Sequence, residues 1–233
     1  MSTQRLEIDG IAIEIQRKPI KNMNLRIYPP DGLVRVSAPF ALSLRQIRRQ
    51  IEAKREWIQA QQARIKARPV YSEPAMQTGE RHDFLGEPYT LNVYEGVNKA
   101  NIVLEGKVLH LRTNANPSVV EKHALLQRWY RAQMLGLLPD LIKKWQAVID
   151  VTVAEYGVKI MKTRWGSCNI QARRIWLNLA LIKTPLTCLE SVLVHEMTHL
   201  LEASHNARFY ALMDQFMPNW RTYQQALKSL TLR

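Results

Sequence analysis

The sequence around residue 195 constrains the chain most, because it places two histidines four residues apart. Residues 194–199 read VHEMTH. On a helix, side chains at i and i+4 lie on the same face one turn apart, so both imidazoles can bind one metal ion. His205 follows six residues after His199, where the chain can leave the helix and return as a third ligand. Three protein ligands leave a fourth position on zinc open, as in catalytic rather than structural sites.

Glu196 directly follows the first of these histidines. Zinc lowers the pKa of a water ligand to about 7, and a neighbouring carboxylate can then take the proton. The spacing therefore predicts one Zn²⁺ per chain at His195, His199 and His205, with Glu196 as the general base.

The predicted metal helix runs from a cap at Thr184 to about Leu201 and is apolar nearly all round, which is typical of a buried helix. Two histidines and a glutamate on such a helix are costly without a partner, and a metal ion suits all three. The alternatives are hydrogen-bonded core histidines or a site that has lost its metal.

Other motifs precede and follow this helix: RWGSC at 164–168, IWLN at 175–178, then Phe209 and Pro218. Together they resemble the YgjP-like metallopeptidase domain family of the zincins and, more distantly, the SprT and Wss1 type metalloproteases that act on DNA-bound proteins. The resemblance is specific over residues 155–230 and extends to the basic, strand-rich N-terminal half. It implies a zincin-like fold, the same three zinc ligands and Glu196 as base. The chain departs from the metzincin pattern at Glu202, where those enzymes have glycine.

Residues between the strands predicted at 156–163 and 175–182 are candidates for substrate binding. In zincin-type sites a strand beside the metal pairs with an extended peptide, and 175–182 is the candidate for that strand. Trp165 and Asn178 are predicted to shape the cleft, and Arg164 to stabilise an oxyanion or a phosphate. The alternative is that Trp165 belongs to the core and that Asn178 caps backbone groups.

The charge of the chain favours a polyanionic partner. Lys and Arg number 33 against 20 Asp and Glu, a net charge of +13, and residues 1–70 hold 14 against 6, a net charge of +8. A helix predicted at 43–67 carries a basic face that would bind phosphates, such as those of nucleic acid, through Arg45, Arg48, Arg49 and Arg55. The alternative is a solvated face that keeps a basic protein soluble.

The pattern of elements predicts an α+β fold in two parts. Residues 1–115 form a strand-rich N-terminal region, with antiparallel hairpins at 6–15, 24–37 and 81–111, and residues 116–233 form the zincin-like catalytic domain. A long helix is predicted from 117 to 148, which Pro139 kinks or divides. Two cysteines, no apolar N-terminal signal core and no apolar run of membrane-spanning length indicate a cytoplasmic protein without a membrane partner.

These features predict a zinc-dependent hydrolase, a metallopeptidase acting on protein or peptide substrates. Two alternatives remain open: a zinc-dependent nucleotide pyrophosphatase, since the charge also suits a nucleoside triphosphate, and a nucleic-acid-binding module with a relic metal site. The sequence contains no phosphate loop or dinucleotide-binding fingerprint, which excludes the common kinase, ATPase and Rossmann classes. It does not specify the physiological substrate or the oligomeric state.

Overall fold

A computed structural model of the chain describes residues 3–8, 10–28, 31–66 and 74–230. Contacts divide the chain into two compact units, residues 1–73 and 74–233. The boundary predicted from the sequence lies instead between residues 115 and 116. The difference arises because buried residues between 76 and 111 belong to the same hydrophobic core as the C-terminal helices. A sheet that shares its core with those helices belongs to their unit.

The N-terminal unit contains a four-stranded sheet in the order β1-β2-β4-β3, formed by β1 (Thr3–Ile8), β2 (Ile11–Lys18), β3 (Asn24–Tyr28) and β4 (Leu33–Pro39). The two predicted antiparallel pairs, β1 with β2 and β3 with β4, are present, and β2 joins β4 in parallel. Asp9, Pro29 and Pro30, on which the predicted turns depend, lie outside the described residues. The apolar side chains of β2 and β4 alternate into the core of this unit.

The single helix predicted at 43–67 is instead two helices, α1 (Leu44–Glu52) and α2 (Arg55–Lys66). The amide of Lys54 donates to the Ile51 carbonyl at 2.9 Å, an i to i−3 bond that tightens the last turn and ends α1. Arg45, Arg48 and Arg49 therefore lie on α1, whereas Arg55 begins α2. The predicted end at residue 67 lies outside the described residues.

The second sheet begins the C-terminal unit and has the order β5-β6-β8-β7, formed by β5 (Arg81–Phe84), β6 (Glu87–Tyr94), β7 (Asn101–Glu105) and β8 (Val108–Arg112). Its two hairpins are antiparallel as predicted. The prediction of an entirely antiparallel sheet is wrong at one pair, because β8 returns between β6 and β7 and runs parallel to β6. Short-range turn signals predict hairpins but not how two hairpins join.

A 31-residue helix, α3 (Val119–Ile149), follows this sheet. Ser118 and Glu121 form a capping box at its start, which satisfies two free amides of the first turn. Pro139 lies inside the helix without dividing it. One side of α3 packs into the main core through Leu125, Leu126, Tyr130, Met134, Leu138, Leu141, Ile142, Trp145 and Ile149.

A three-stranded sheet follows α3 and precedes the helix that carries His195. Its order is β10-β11-β9, formed by β9 (Glu155–Lys159), β10 (Gly166–Asn169) and β11 (Arg174–Asn178). A 3₁₀ turn (Leu179–Lys183) replaces the end of the strand predicted at 175–182. Because β11 pairs with β10 on one side and β9 on the other, it has no free edge for a peptide, and the prediction of that role is wrong. The two edge strands of this sheet are β10 and β9.

Three helices complete the unit: α4 (Leu186–Thr198), α5 (Ala207–Phe216) and α6 (Trp220–Ser229). Helices and mixed sheets together make the predicted α+β fold. Among the described residues, no helix has both the length and the apolar character needed to cross a membrane.

Candidate metal centre

Helix α4 is largely buried, and His195 and His199 lie at its C-terminal end. Thr184 does not cap it as predicted, because its hydroxyl donates to the Leu181 carbonyl at 2.8 Å, and Pro185 takes the cap position. Near the other end, the Thr198 hydroxyl donates to the Val194 carbonyl at 2.8 Å, so this polar group is satisfied inside the core. His199 stands at the C-cap.

The structure brings together the three histidines predicted as ligands. One nitrogen of each lies within 4.8 Å of the others, and the Nε2 atoms of His195 and His205 are 2.9 Å apart. Within the described part of the chain, these three are the one group of at least three His, Cys, Asp or Glu side chains close enough to share a metal ion.

A turn between α4 and α5 brings His205 back to the first two histidines. The amides of Leu200, Leu201 and Glu202 form this turn through bonds to the carbonyls of Met197 and Thr198 at 3.0 Å. Glu202 is not among the described residues with positive φ, so this turn does not need the glycine that metzincins have there. Asn206 then caps α5 by accepting from the Phe209 amide at 3.0 Å.

Phe209 forms the apolar base of the cluster. Its ring centroid lies 4.9 Å from that of His195 and 4.7 Å from those of His199 and His205, and the side chain is fully buried. Contact with all three rings restricts their rotation and helps to keep their nitrogens close together. The family resemblance includes Phe209 but assigns it no role at the histidines. The available signal was its position four residues after His205, at the start of the next helix.

The protonation of these imidazoles suits a metal ligand. Burial, assisted by the other two histidines, lowers the pKa of His195 to about 4, and burial also lowers the pKa of His199. The Nδ1 atom of His199 lies 3.1 Å from the Glu202 carbonyl, and when it donates there its Nε2 keeps a free lone pair. A lowered pKa keeps His195 and His199 in the neutral form that binds metal, and three converging imidazole nitrogens fit a zinc ion with one position left open.

Glu196 lies in the core beside these rings, with 6% of its surface exposed. A Cβ atom built on Gly166 would stand 2.7 Å from the Cγ and Oε1 atoms of Glu196, so the backbone of β10 lies directly against this side chain. Burial raises the pKa of Glu196 to about 8, and the charge of Arg164 acts in the opposite direction. A cation at the histidines would also favour the carboxylate.

A cleft of about 330 Å³ opens beside His195 and Glu196. Arg164 and Trp165, two of the predicted substrate-binding residues, line it, and Trp165 also packs partly on the core. The other walls come from Thr163, Gly166, Ser191, Val192, Met213, Trp220, Gln224, Leu227 and Lys228. The sequence did not indicate that α6 contributes to the site, so the four cleft residues on that helix were not predicted.

Asn178, the third predicted substrate-binding residue, does not line the cleft. It is 1% exposed, and its Nδ2 donates to the carbonyls of Met161 and Arg164 at 2.7 and 2.8 Å. Its Oδ1 accepts from the Ala180 amide at 3.1 Å. The alternative interpretation applies, because Asn178 caps backbone groups and fixes the loop that carries Arg164.

The predicted polyanion-binding residues lie in the other unit. Arg45, Arg48, Arg49 and Arg55 are all exposed. The described ion pairs of this unit join Glu14 to Arg5 and Arg35, and none of them involves Arg45, Arg48 or Arg49.

Known proteins support one family assignment. The model of the YgjP-like, metallopeptidase domain family matches residues 21–230. Among solved structures, the metallopeptidase zymogen of Pyrococcus abyssi abylysin aligns with 14% sequence identity over 40% of this chain and 93% of that chain, with a TM-score of 0.38. A similarity of that size does not establish a shared fold. No match was found among curated protein sequences.

Proposed function

The chain belongs to the YgjP-like metallopeptidase domain family, and from that membership we propose that it is a zinc-dependent peptidase with its centre at His195, His199, His205 and Glu196. One observation carries the assignment of these residues: the three imidazoles converge within 4.8 Å beside a buried carboxyl group. The expected stoichiometry is one zinc ion per chain.

The three histidines would hold the metal, with Phe209 beneath them. Zinc bound there supplies a Lewis acid that polarises oxygen atoms and lowers the pKa of water to about 7. The Glu202 carbonyl orients His199 through its Nδ1 atom, and this contact sets which nitrogen faces the metal.

Glu196 moves the proton in this proposal. Its carboxylate accepts a proton from the attacking water at Oε1 and later donates it to the amine nitrogen that leaves when the peptide C–N bond breaks. The buried position excludes bulk water from the carboxyl, and the contact with Gly166 keeps it beside β10.

The free edge of β10 is suited to align a peptide. The Asn178 amide donates to the Trp165 carbonyl at 2.8 Å, which makes these two residues a hydrogen-bonded pair of the β10/β11 ladder. Because hydrogen-bonded and non-hydrogen-bonded pairs alternate in an antiparallel ladder, the amides and carbonyls of Gly166 and Cys168 turn away from β11. An extended peptide can add there as a further strand, with its backbone next to Glu196.

The decisive experiment assays the zinc-loaded protein against casein, short peptides and a panel of nucleotides. We expect peptide cleavage, and Glu196→Gln should keep its zinc and fold while losing at least about 100-fold in rate, because the general base is removed. Unchanged turnover in that variant would contradict the role of Glu196. Hydrolysis of nucleotides but not peptides would favour the pyrophosphatase alternative, and binding of nucleic acid without any hydrolysis would favour the relic site.

We also propose a second function for the N-terminal unit: binding a polyanion of the nucleic-acid class. Arg45, Arg48 and Arg49 stand at i, i+3 and i+4 on α1, so they share its exposed side, while Ile47 and Ile51 are buried on the other. The net charge of +8 over residues 1–70 also favours the binding of a polyanion. As the SprT-type resemblance implies, proteins bound to the same polyanion would then be substrates of the peptidase.

A further inference from the structure

The cleft beside Glu196 has an apolar interior that the metal centre does not explain. At about 330 Å³, it is at the lower end of the roughly 300–1,000 Å³ typical of ligand pockets and has room for one bulky side chain. Its apolar walls come from Trp165, Val192, Met213, Trp220 and Leu227. A group that fills it must offer a large apolar surface.

Two cations from separate elements also line this cleft. Arg164 belongs to the loop before β10, Lys228 belongs to α6, and both are exposed. No ion pair within the described residues involves either side chain, and Glu196 is the one acidic residue among the lining residues. The charge of Arg164 acts on Glu196, but neither cation has an ion-pair partner among the described residues. Two such cations beside an apolar cavity complement a ligand that combines apolar bulk with a carboxylate.

The position of the cleft restricts which part of a peptide can occupy it. His195 and Glu196 are themselves lining residues, so the occupant lies directly next to the bond that is cut. An acidic side chain would supply the carboxylate but not the apolar bulk. A C-terminal residue with a large apolar side chain supplies both, because its main-chain carboxylate and its side chain diverge from one Cα atom.

We propose, on the basis of the peptidase function above, that this cleft is the subsite for the C-terminal residue of a peptide. The apolar side chain enters the cavity, and Arg164 and Lys228 hold the terminal carboxylate. The chain is then a carboxypeptidase. One water is consumed, a C–O bond forms at the last peptide carbonyl as its C–N bond breaks, and the amine of the released amino acid takes the proton from Glu196.

The test uses the full-length, zinc-loaded protein and three peptides that differ only at the C-terminus. The first ends in phenylalanine with a free carboxylate, the second in phenylalanine amide, and the third in aspartate amide. We expect removal of the last residue from the first peptide, with kcat/KM at least about tenfold above that of the amide, the effect of one charge-assisted hydrogen bond. Preference for the aspartate amide would assign the cations to an acidic side chain and overturn the proposal.

Variants then assign the carboxylate contacts. Arg164→Met and Lys228→Met should each lower the acid-to-amide ratio of kcat/KM by about tenfold. Arg128→Met and Lys99→Met remove the same charges from exposed positions outside the cleft and should leave that ratio unchanged. Equal loss on both peptides in Arg164→Met would mean that Arg164 acts on the scissile group and would overturn its part in the proposal.

A binding measurement separates this proposal from the peptidase function. The probes are 3-phenylpropanoate and 3-phenylpropanamide, titrated by NMR into the full chain before zinc loading, so that no metal can bind the carboxylate. Selective binding of the acid, lost in Lys228→Met, would support the subsite even if no peptide were cleaved. Internal peptide cleavage with equal binding of acid and amide would overturn the subsite while the peptidase function stands.

Discussion

Gly166 lies so close to Glu196 that a Cβ atom at position 166 would stand 2.7 Å from the Glu196 Oε1 atom. The φ of Gly166 is outside the left-handed region, so the backbone itself would accept another residue. The glycine is therefore required by the contact with the carboxyl and not by a turn. Because Gly166 is in the edge strand β10, the position of the Glu196 carboxyl is set by the same strand that is available to a peptide.

Gly166→Ala tests whether this contact positions the base. The added methyl must displace the carboxyl of Glu196, and a shift of about 1 Å at a catalytic group can lower a rate by about 100-fold. We expect kcat for peptide cleavage to fall by that order, with little change in KM and with the zinc content retained. Steady-state kinetics and elemental analysis measure these quantities.

Two further variants make this result specific. Glu196→Asp shortens the acid by one methylene, so adding Gly166→Ala to that variant should cost much less than in the parent chain. Gly136→Ala adds a methyl within α3 where, apart from its chain neighbours and the nearby helix backbone, no atom lies within 4 Å, and it should leave kcat unchanged. An equal loss from Gly166→Ala in both backgrounds would show that the methyl does not act through the carboxyl.

Removal of one histidine should release the metal. His199→Ala leaves two imidazoles, so elemental analysis should show most of the zinc lost, whereas His110→Ala in β8, outside the cluster, should retain it. In the parent chain, free zinc at 100 times its Kd adds about 2.7 kcal/mol to the free energy of unfolding, which raises Tm by roughly 5–10 °C for a chain of this size. Full zinc stoichiometry in His199→Ala would exclude this residue as a ligand.

The sequence predicted best the features that depend only on residues close together in the chain. The i to i+4 spacing places His195 and His199 on one helix face whatever the rest of the molecule does. Hairpins such as β5 with β6 follow from local turn residues in the same way.

Strand order could not be predicted, because it depends on pairings between distant residues. Nothing local indicates that β8 lies between β6 and β7, or that β11 is central and β10 is an edge strand. The roles of single polar residues depend equally on tertiary contacts. Asn178 is a polar residue that could line a cleft, but its side chain is buried and donates to the carbonyls of Met161 and Arg164. Lys228 looks in the sequence like any exposed lysine of an amphipathic helix, yet it lines the cleft.

Acid should destabilise the N-terminal unit through Glu14. This carboxylate of β2 accepts from Arg5 of β1 at 2.9 Å and from Arg35 of β4 at 3.0 Å, and these hydrogen bonds hold its pKa below the ordinary value of 4.5. Because the folded pKa is the lower one, the stabilisation is present above pH 4.5 and is lost as the pH falls through the folded pKa.

Hydrogen exchange of the β2 amides in the full chain measures this effect. Protection should fall as the pH is lowered below 4.5 in the parent chain, after correction for the intrinsic exchange rate, whereas Glu14→Gln should start lower at pH 7 and change less over the same acid range. Glu52→Gln removes the same charge from an exposed position of α1 and should behave like the parent. A parent profile as flat as that of Glu14→Gln would show that the two arginines do not stabilise the sheet through this carboxylate.

If the basic face of α1 binds DNA, the binding constant should depend on salt concentration. If Arg45, Arg48 and Arg49 neutralise phosphates, the logarithm of the binding constant for duplex DNA should fall linearly with the logarithm of salt concentration, by about 0.9 per phosphate contacted. Replacing Arg48 and Arg49 by glutamine keeps the helix propensity and should lower that slope by up to about 2, with zinc content unchanged.

Replacing Lys99 and Lys143, two exposed lysines of the C-terminal unit, removes the same charge and should lower the slope less. Equal effects of the two double replacements would indicate attraction by net charge alone, and no binding to single- or double-stranded DNA at physiological salt would leave α1 a solvated basic face.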